Sequence, residues 1–177
     1  MNKKLLTTRY KRQTNPGFTL VEFLLYLALV SITVLVISFF LSQLMQSKVK
    51  SQTIAEVEQQ GVQINQIISQ TIRNAKQINS PLTAAIANSL SLTVVDSAKT
   101  PTVFSIINGE IQITEGASQS VSLNNSRVEI TSLNFQNLSQ NNTAGTIRTQ
   151  FTISYRNPGL RNEFSYSKTF YSSATIR

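Results

Sequence analysis

Among its 177 residues the chain has no cysteine, no histidine and no tryptophan. The first absence excludes disulfides and thiolate nucleophiles within the chain; the second excludes imidazole-based metal sites and triads. Any folded part must therefore be held by its apolar core alone. Acidic residues are also scarce, eight against sixteen lysines and arginines. Glu56, Glu58, Asp96, Glu110, Glu115, Glu129 and Glu163 are scattered. They form no spaced pair of the kind general acid–base catalysis needs, and no dense aspartate cluster for calcium. The expectation is a non-enzyme with no catalytic residue, no cofactor and no metal. Proline and glycine are missing throughout residues 18–60, so nothing there stops a helix.

Positive charge is present but unevenly placed. The net charge is +8, and Lys3, Lys4, Arg9, Lys11 and Arg12 supply five of those charges within the first seventeen residues, leaving +3 for the remainder. The excess belongs to a basic leader and is no nucleic-acid footprint. The other cations are dispersed and leave DNA only a weak electrostatic affinity as a partner.

An apolar run follows the leader, from Phe18 to Leu41, with one carboxylate, Glu22, near its start. Three readings compete for this segment. A secretory signal has an apolar stretch of about 7–15 residues and a small-residue cleavage site behind it. This run is longer, and Ser42-Gln43-Leu44 is a poor site. A plain anchor fits the length, since the run would span roughly 36 Å as a helix against a hydrocarbon core of about 30 Å. The leader cations, set against Lys48 and Lys50 beyond the run, place the N-terminus in the cytoplasm and the rest outside. Neither reading explains Glu22, because a charge at the bilayer centre costs on the order of 2.5–3.5 kcal/mol.

The third reading does. Gly17-Phe18-Thr19-Leu20-Val21-Glu22, ahead of an apolar run and behind a basic leader, resembles the prepilin motif of type IV pilins and type II secretion pseudopilins. That resemblance implies cleavage between Gly17 and Phe18 by a prepilin peptidase, followed by N-methylation of Phe18. Pro16 keeps the backbone before the site extended, which suits a protease cleft. The resemblance also implies a filament-assembly role for Glu22. Along a helix the new amine and Glu22 lie about 6 Å apart, and in an assembly Glu22 can meet the amine of a neighbouring subunit as a low-dielectric pair. The plain alternative is a neutral Glu22, or one at headgroup level marking topology.

Beyond Leu41 the helix is expected to continue. Apolar residues from Ile54 through Val57, Ile64, Ile67, Ile68, Ile72, Ala75 and Ile78 recur at helical spacing and define one amphipathic face. Ser80-Pro81 is the expected stop, giving a helix from Phe18 to Asn79 on the order of 90 Å long. Gly61 within it reads as a tolerated helix glycine, a bend or a close approach. Many major pilins carry a helix breaker in this segment, and its absence resembles minor pilins or pseudopilins instead. Glu58-Gln59-Gln60-Gly61 leading to Ile72-Arg73-Asn74-Ala75 resembles the post-membrane region of the secretion J / PilW-like minor pilins.

From Leu82 the period is that of strands. Val103–Ile107 and Glu110–Thr114 flank Asn108-Gly109, a hairpin signal. Residues 128–138 extend, with Leu133 and Phe135 on one face. Residues 147–155 alternate, Asn157-Pro158-Gly159 turns, and 164–171 alternate again. The loops 80–89, 117–126 and 136–145 read as solvated connections. Tyr155, Tyr166 and Tyr171 read as strand and core residues. The fold class is thus α+β: a long N-terminal helix, transmembrane first and amphipathic second, packed on a C-terminal antiparallel β-sheet head. The organisation reads as a leader (1–17), a transmembrane or filament-core helix (18–41), a stem (42–79) and a head (80–177).

The resemblance further implies partners: the peptidase, other pilin or pseudopilin subunits, an inner-membrane assembly platform with an ATPase acting through it, and membrane lipid. It implies a single-pass cytoplasmic-membrane precursor that moves into a surface pilus or pseudopilus. Such filaments serve adhesion, motility, DNA uptake, as in competence, or secretion, and the residues do not choose among them. The reading from another class is an uncut, single-pass anchored surface protein whose head binds a ligand.

Overall fold

A computed structural model describes residues 17–140 and 143–177. The basic leader and Pro16 lie outside the described residues. One helix, α1 (Leu20–Arg73), is followed by nine strands: β1 (Ala75–Ser80), β2 (Ile86–Ala87), β3 (Leu90–Val94), β4 (Thr102–Ile107), β5 (Glu110–Glu115), β6 (Val121–Ser122), β7 (Val128–Asn137), β8 (Thr146–Tyr155) and β9 (Ser167–Thr175). The protein is α+β. It divides into two compact units, one ending at Leu44 and one running from Met45 to Arg177.

The first unit holds the apolar start of α1. Its large side chains from Phe18 to Leu44 are exposed, as is Met45 just beyond. An eighteen-residue stretch of α1 reaches a mean hydropathy of 2.7 with none of it buried. This helix is long and apolar enough to cross a membrane. Three of its hydroxyls are turned to the helix backbone: Ser31, Thr33 and Ser42 donate to the carbonyls of Leu27, Leu29 and Ser38 at 2.8, 2.7 and 3.1 Å. A polar group in hydrocarbon must be satisfied internally in this way.

In the second unit α1 buries Thr53, Val57, Gly61, Ile64, Ile68 and Ile72, spaced by threes and fours. Each of the four fully buried aliphatic residues contributes about 1.5–3 kcal/mol relative to exposure. They pack with Leu90, Leu92, Phe104, Ile111, Phe135, Ile147, Phe151 and Ile153 into one core.

The antiparallel head expected after the helix is present, built of two sheets. One has the order β1-β3-β4-β5-β6 and the other β2-β7-β8-β9. They meet where the Ile130 amide donates to the Gly109 carbonyl at 2.8 Å. The Asn108-Gly109 hairpin is present, Ile107 opposite Glu110, with positive φ at both turn residues (52° and 77°), as a type I′ turn requires. Leu133 and Phe135 are both buried, and β8 alternates with Ile147, Thr149, Phe151 and Ile153 inside.

Several expectations are corrected. α1 ends at Arg73, six residues before Asn79, because Ala75–Ser80 pairs with β3 as a strand. Residues 90–94, where Leu90, Leu92 and Val94 alternate with Ser91 and Thr93, form a strand that the sequence reading passed over. Phe164 does not begin a strand. It lies in a short 3₁₀ turn, Asn162–Phe164, and stacks on Tyr155 with centroids 5.6 Å apart. Tyr155 and Tyr166 pack against the core, but Tyr171 is exposed.

The solvated loops are partly structural. Asn124 is buried; its Oδ1 accepts from the Ile111 amide at 2.9 Å and its Nδ2 donates to the Val128 carbonyl at 3.2 Å. Asn137 is buried too, donating to the Pro81 carbonyl at 2.8 Å.

The second half of α1 and β9 run in the same direction. Lys50 donates to the carbonyls of Asn162 and Ser165, at 3.2 and 2.6 Å. Glu58 pairs with Lys168 at 2.7 Å. Gly61 faces the Phe170 ring, and the Arg73 carbonyl accepts from the Arg177 amide at 3.4 Å. The close-approach reading of Gly61 is the one realised.

Candidate functional site

The residues singled out by the motif sit at the start of α1. Gly17, Phe18 and Thr19 are outside the helix and exposed. Among the described residues nothing approaches the position of a Gly17 side chain within 4 Å, and Phe18 is 74% exposed. The Gly17–Phe18 bond is therefore in non-helical backbone just ahead of the N-cap, obstructed by none of the described residues.

Helix initiation has a local cause. The Thr19 carbonyl accepts from the Phe23 amide at 3.1 Å, and Thr19 Oγ1 accepts from the Glu22 amide at 3.2 Å. Thr19 is thus an N-cap with Glu22 three residues on, the spacing of a capping box. A carboxylate in the first turn also meets the positive end of the helix dipole. Thr19-Leu20-Val21-Glu22 carries that signal in sequence. Glu22 is half-buried among its neighbours, and Tyr26 Oη donates to its Oε1 at 3.3 Å. Phe18 and Glu22 are linked through Tyr26, a residue not singled out from the sequence, and Gly17 is joined to them by the chain alone.

The head contains clefts. Among the described residues no three metal-ligating side chains gather. A cleft of about 780 Å³ is lined by Arg73, Lys76, Asp96, Lys99, Glu115 and Arg177, among others. Lys99 lies 2.9 Å from Glu115, whose hydrogen bond and charge hold the amine above its ordinary value. Mixed charge of this kind binds itself and offers no nucleophile with an adjacent base.

No protein-family model, curated protein or solved structure matches the chain.

Proposed function

We propose that this protein is a minor pilin or pseudopilin subunit, a structural component of a type IV pilus or a type II secretion-like pseudopilus. The basic leader through Gly17 is removed by hydrolysis of the Gly17–Phe18 bond, and the freed Phe18 amine is methylated. The chain spans the cytoplasmic membrane once, N-terminus inside and head outside, until α1 carries it into the filament. Glu22 then pairs with the Phe18 amine of a neighbouring subunit. Its partners are the prepilin peptidase, the other subunits, the membrane platform and lipid.

The observation that carries this reading is the motif Gly17-Phe18-Thr19-Leu20-Val21-Glu22 at the junction of open backbone with a membrane-length helix. The uninterrupted α1 and the α+β head are consistent with it. Intact mass and N-terminal sequencing of protein from membrane and sheared-surface fractions test it. The expected chain begins at Phe18, bears one extra methyl group and occurs in the sheared fraction. Gly17→Ala should block the cut.

One observation favours the second reading, an uncut anchored surface protein. Tyr26 gives the Glu22 carboxylate a local partner that requires no neighbouring subunit. A chain that keeps residues 1–17 and stays in the membrane fraction would establish that reading instead.

A further inference from the structure

Glu22 and Tyr26 are four residues apart on one stripe of α1, and Phe18 stands just ahead of the helix, four residues before Glu22. Tyr26 Oη reaches Glu22 Oε1 at 3.3 Å. The Tyr26 ring also meets Phe18 edge to face, centroids 6.0 Å apart and planes at 70°. One tyrosine thus touches both residues on which the motif turns.

No other side chain among the described residues hydrogen-bonds to the Glu22 carboxylate. Thr19 Oγ1 is engaged as acceptor of the Glu22 amide. Ser31 and Thr33, the next hydroxyls along the helix, donate to their own backbone. In hydrocarbon a carboxylate without a donor is costly, and a hydrogen bond to an ionised acceptor is about twice as strong as a neutral one.

We infer that Tyr26 is a positioning residue for Glu22, holding and shielding its carboxylate on the Phe18 side of the helix while the chain is alone in the membrane. The hydroxyl supplies the bond, and the ring contact with Phe18 fixes where the hydroxyl points. Docking then exchanges a tyrosine donor for a cation and does not begin from a bare charge. This last step rests on the filament reading; the holding role rests only on α1 entering the membrane.

The test is labelling of the full-length chain in membrane vesicles with dicyclohexylcarbodiimide, an apolar reagent that reacts with carboxyl groups in hydrocarbon. Modification is located by fragment mass. Tyr26→Phe keeps the ring and loses the hydroxyl. It should speed labelling of Glu22 about three- to tenfold, the range that side-chain hydrogen bonds carry in membranes. Tyr26→Leu, which loses the ring as well, should label at least as fast, and Glu22→Gln should not label at this site. An unchanged or slower rate in Tyr26→Phe overturns the inference. The fraction of chain in sheared filaments gives a second readout. Tyr26→Phe should lower it in the parent and have no further effect where Glu22 is already Gln. An equal effect in both backgrounds overturns the role through Glu22. Failure of the filament reading would show separately, as a retained leader by mass, with the labelling rates still legible.

Discussion

Gly61 has no side chain because the Phe170 ring occupies the place where one would stand. That ring is not free to leave: it stacks on Phe151 with centroids 5.3 Å apart, and the Lys168 amine lies 5.4 Å from its centre. Two effects oppose each other in Gly61→Ala. Alanine gains about 0.8–1.0 kcal/mol in helix propensity, while overpacking costs about 1–3 kcal/mol. Overpacking should win, lowering stability by about 1 kcal/mol in denaturant melts. Adding Phe170→Leu should reverse the sign, because the obstacle is gone and the propensity gain remains. Asn124 is the other residue with consequences out of proportion to its size. Asn124→Ala strands the Ile111 amide and the Val128 carbonyl, whose residues are both fully buried. Each unsatisfied group costs about 1–3 kcal/mol, so a loss of about 2–6 kcal/mol is expected by the same melts.

Elements are held to one another by charge as well as by packing. Between α1 and β9, the hydrogen bond and charge of Lys168 hold the Glu58 carboxyl below its ordinary value, and Glu58 holds the Lys168 amine above its own. The depressed carboxylate stabilises above its unfolded value and loses that contribution as pH falls through the folded one. The raised amine stabilises below its unfolded value and loses it as pH rises through the folded one. The pair therefore acts on a plateau between about pH 4 and pH 10. Both groups are solvent-exposed, so the effect is small. Lys168→Met should lower the melting temperature slightly on the plateau, and the difference from the parent should shrink below the carboxylate range to what the amine's contact with the Phe170 ring contributes. The elements also show what could be read in advance. The Asn108-Gly109 hairpin and the alternation in β8 were legible because turn chemistry and a period of two are local. The end of α1 was not. Ala75 and Ile78 are three apart, which suits a helix, but β1 slips register between Ala75 and Gln77. A bulge adds one residue to a strand and makes a spacing of three return to the same face. Alternation likewise marks strands without saying which pair, so the division of the head into two sheets is not legible in it. At the candidate site the linear motif was legible, whereas the Tyr26 contact depends on side-chain direction that spacing alone does not settle.

At the scale of the whole molecule, apolar surface is divided sharply along the chain. The buried core residues begin at Thr53 and Val57, whereas the run of exposed large apolar side chains ends at Met45. A chain starting at Met45 keeps the whole core and sheds the surface that demands lipid or a partner. It should be monomeric without detergent and melt cooperatively, as judged by size-exclusion chromatography and circular dichroism. Aggregation of that fragment would mean that the apolar helix contributes to the fold of the head. The parent chain should need detergent or membrane throughout.

The common direction of β9 and the second half of α1 has a mechanical consequence. Lys50, Glu58, Gly61 and Arg73 meet β9 and its flanks in ascending order on both sides. A pull on the helix from its N-terminal end loads all of these attachments, and the Val57–Ile72 seam beneath them, in shear and at once. They cannot be peeled one after another, as they could if the tension acted at the last turn of the helix. The head is built to resist traction from one end far better than from the other, and single-molecule extension with handles at either end of α1 would give unequal rupture forces.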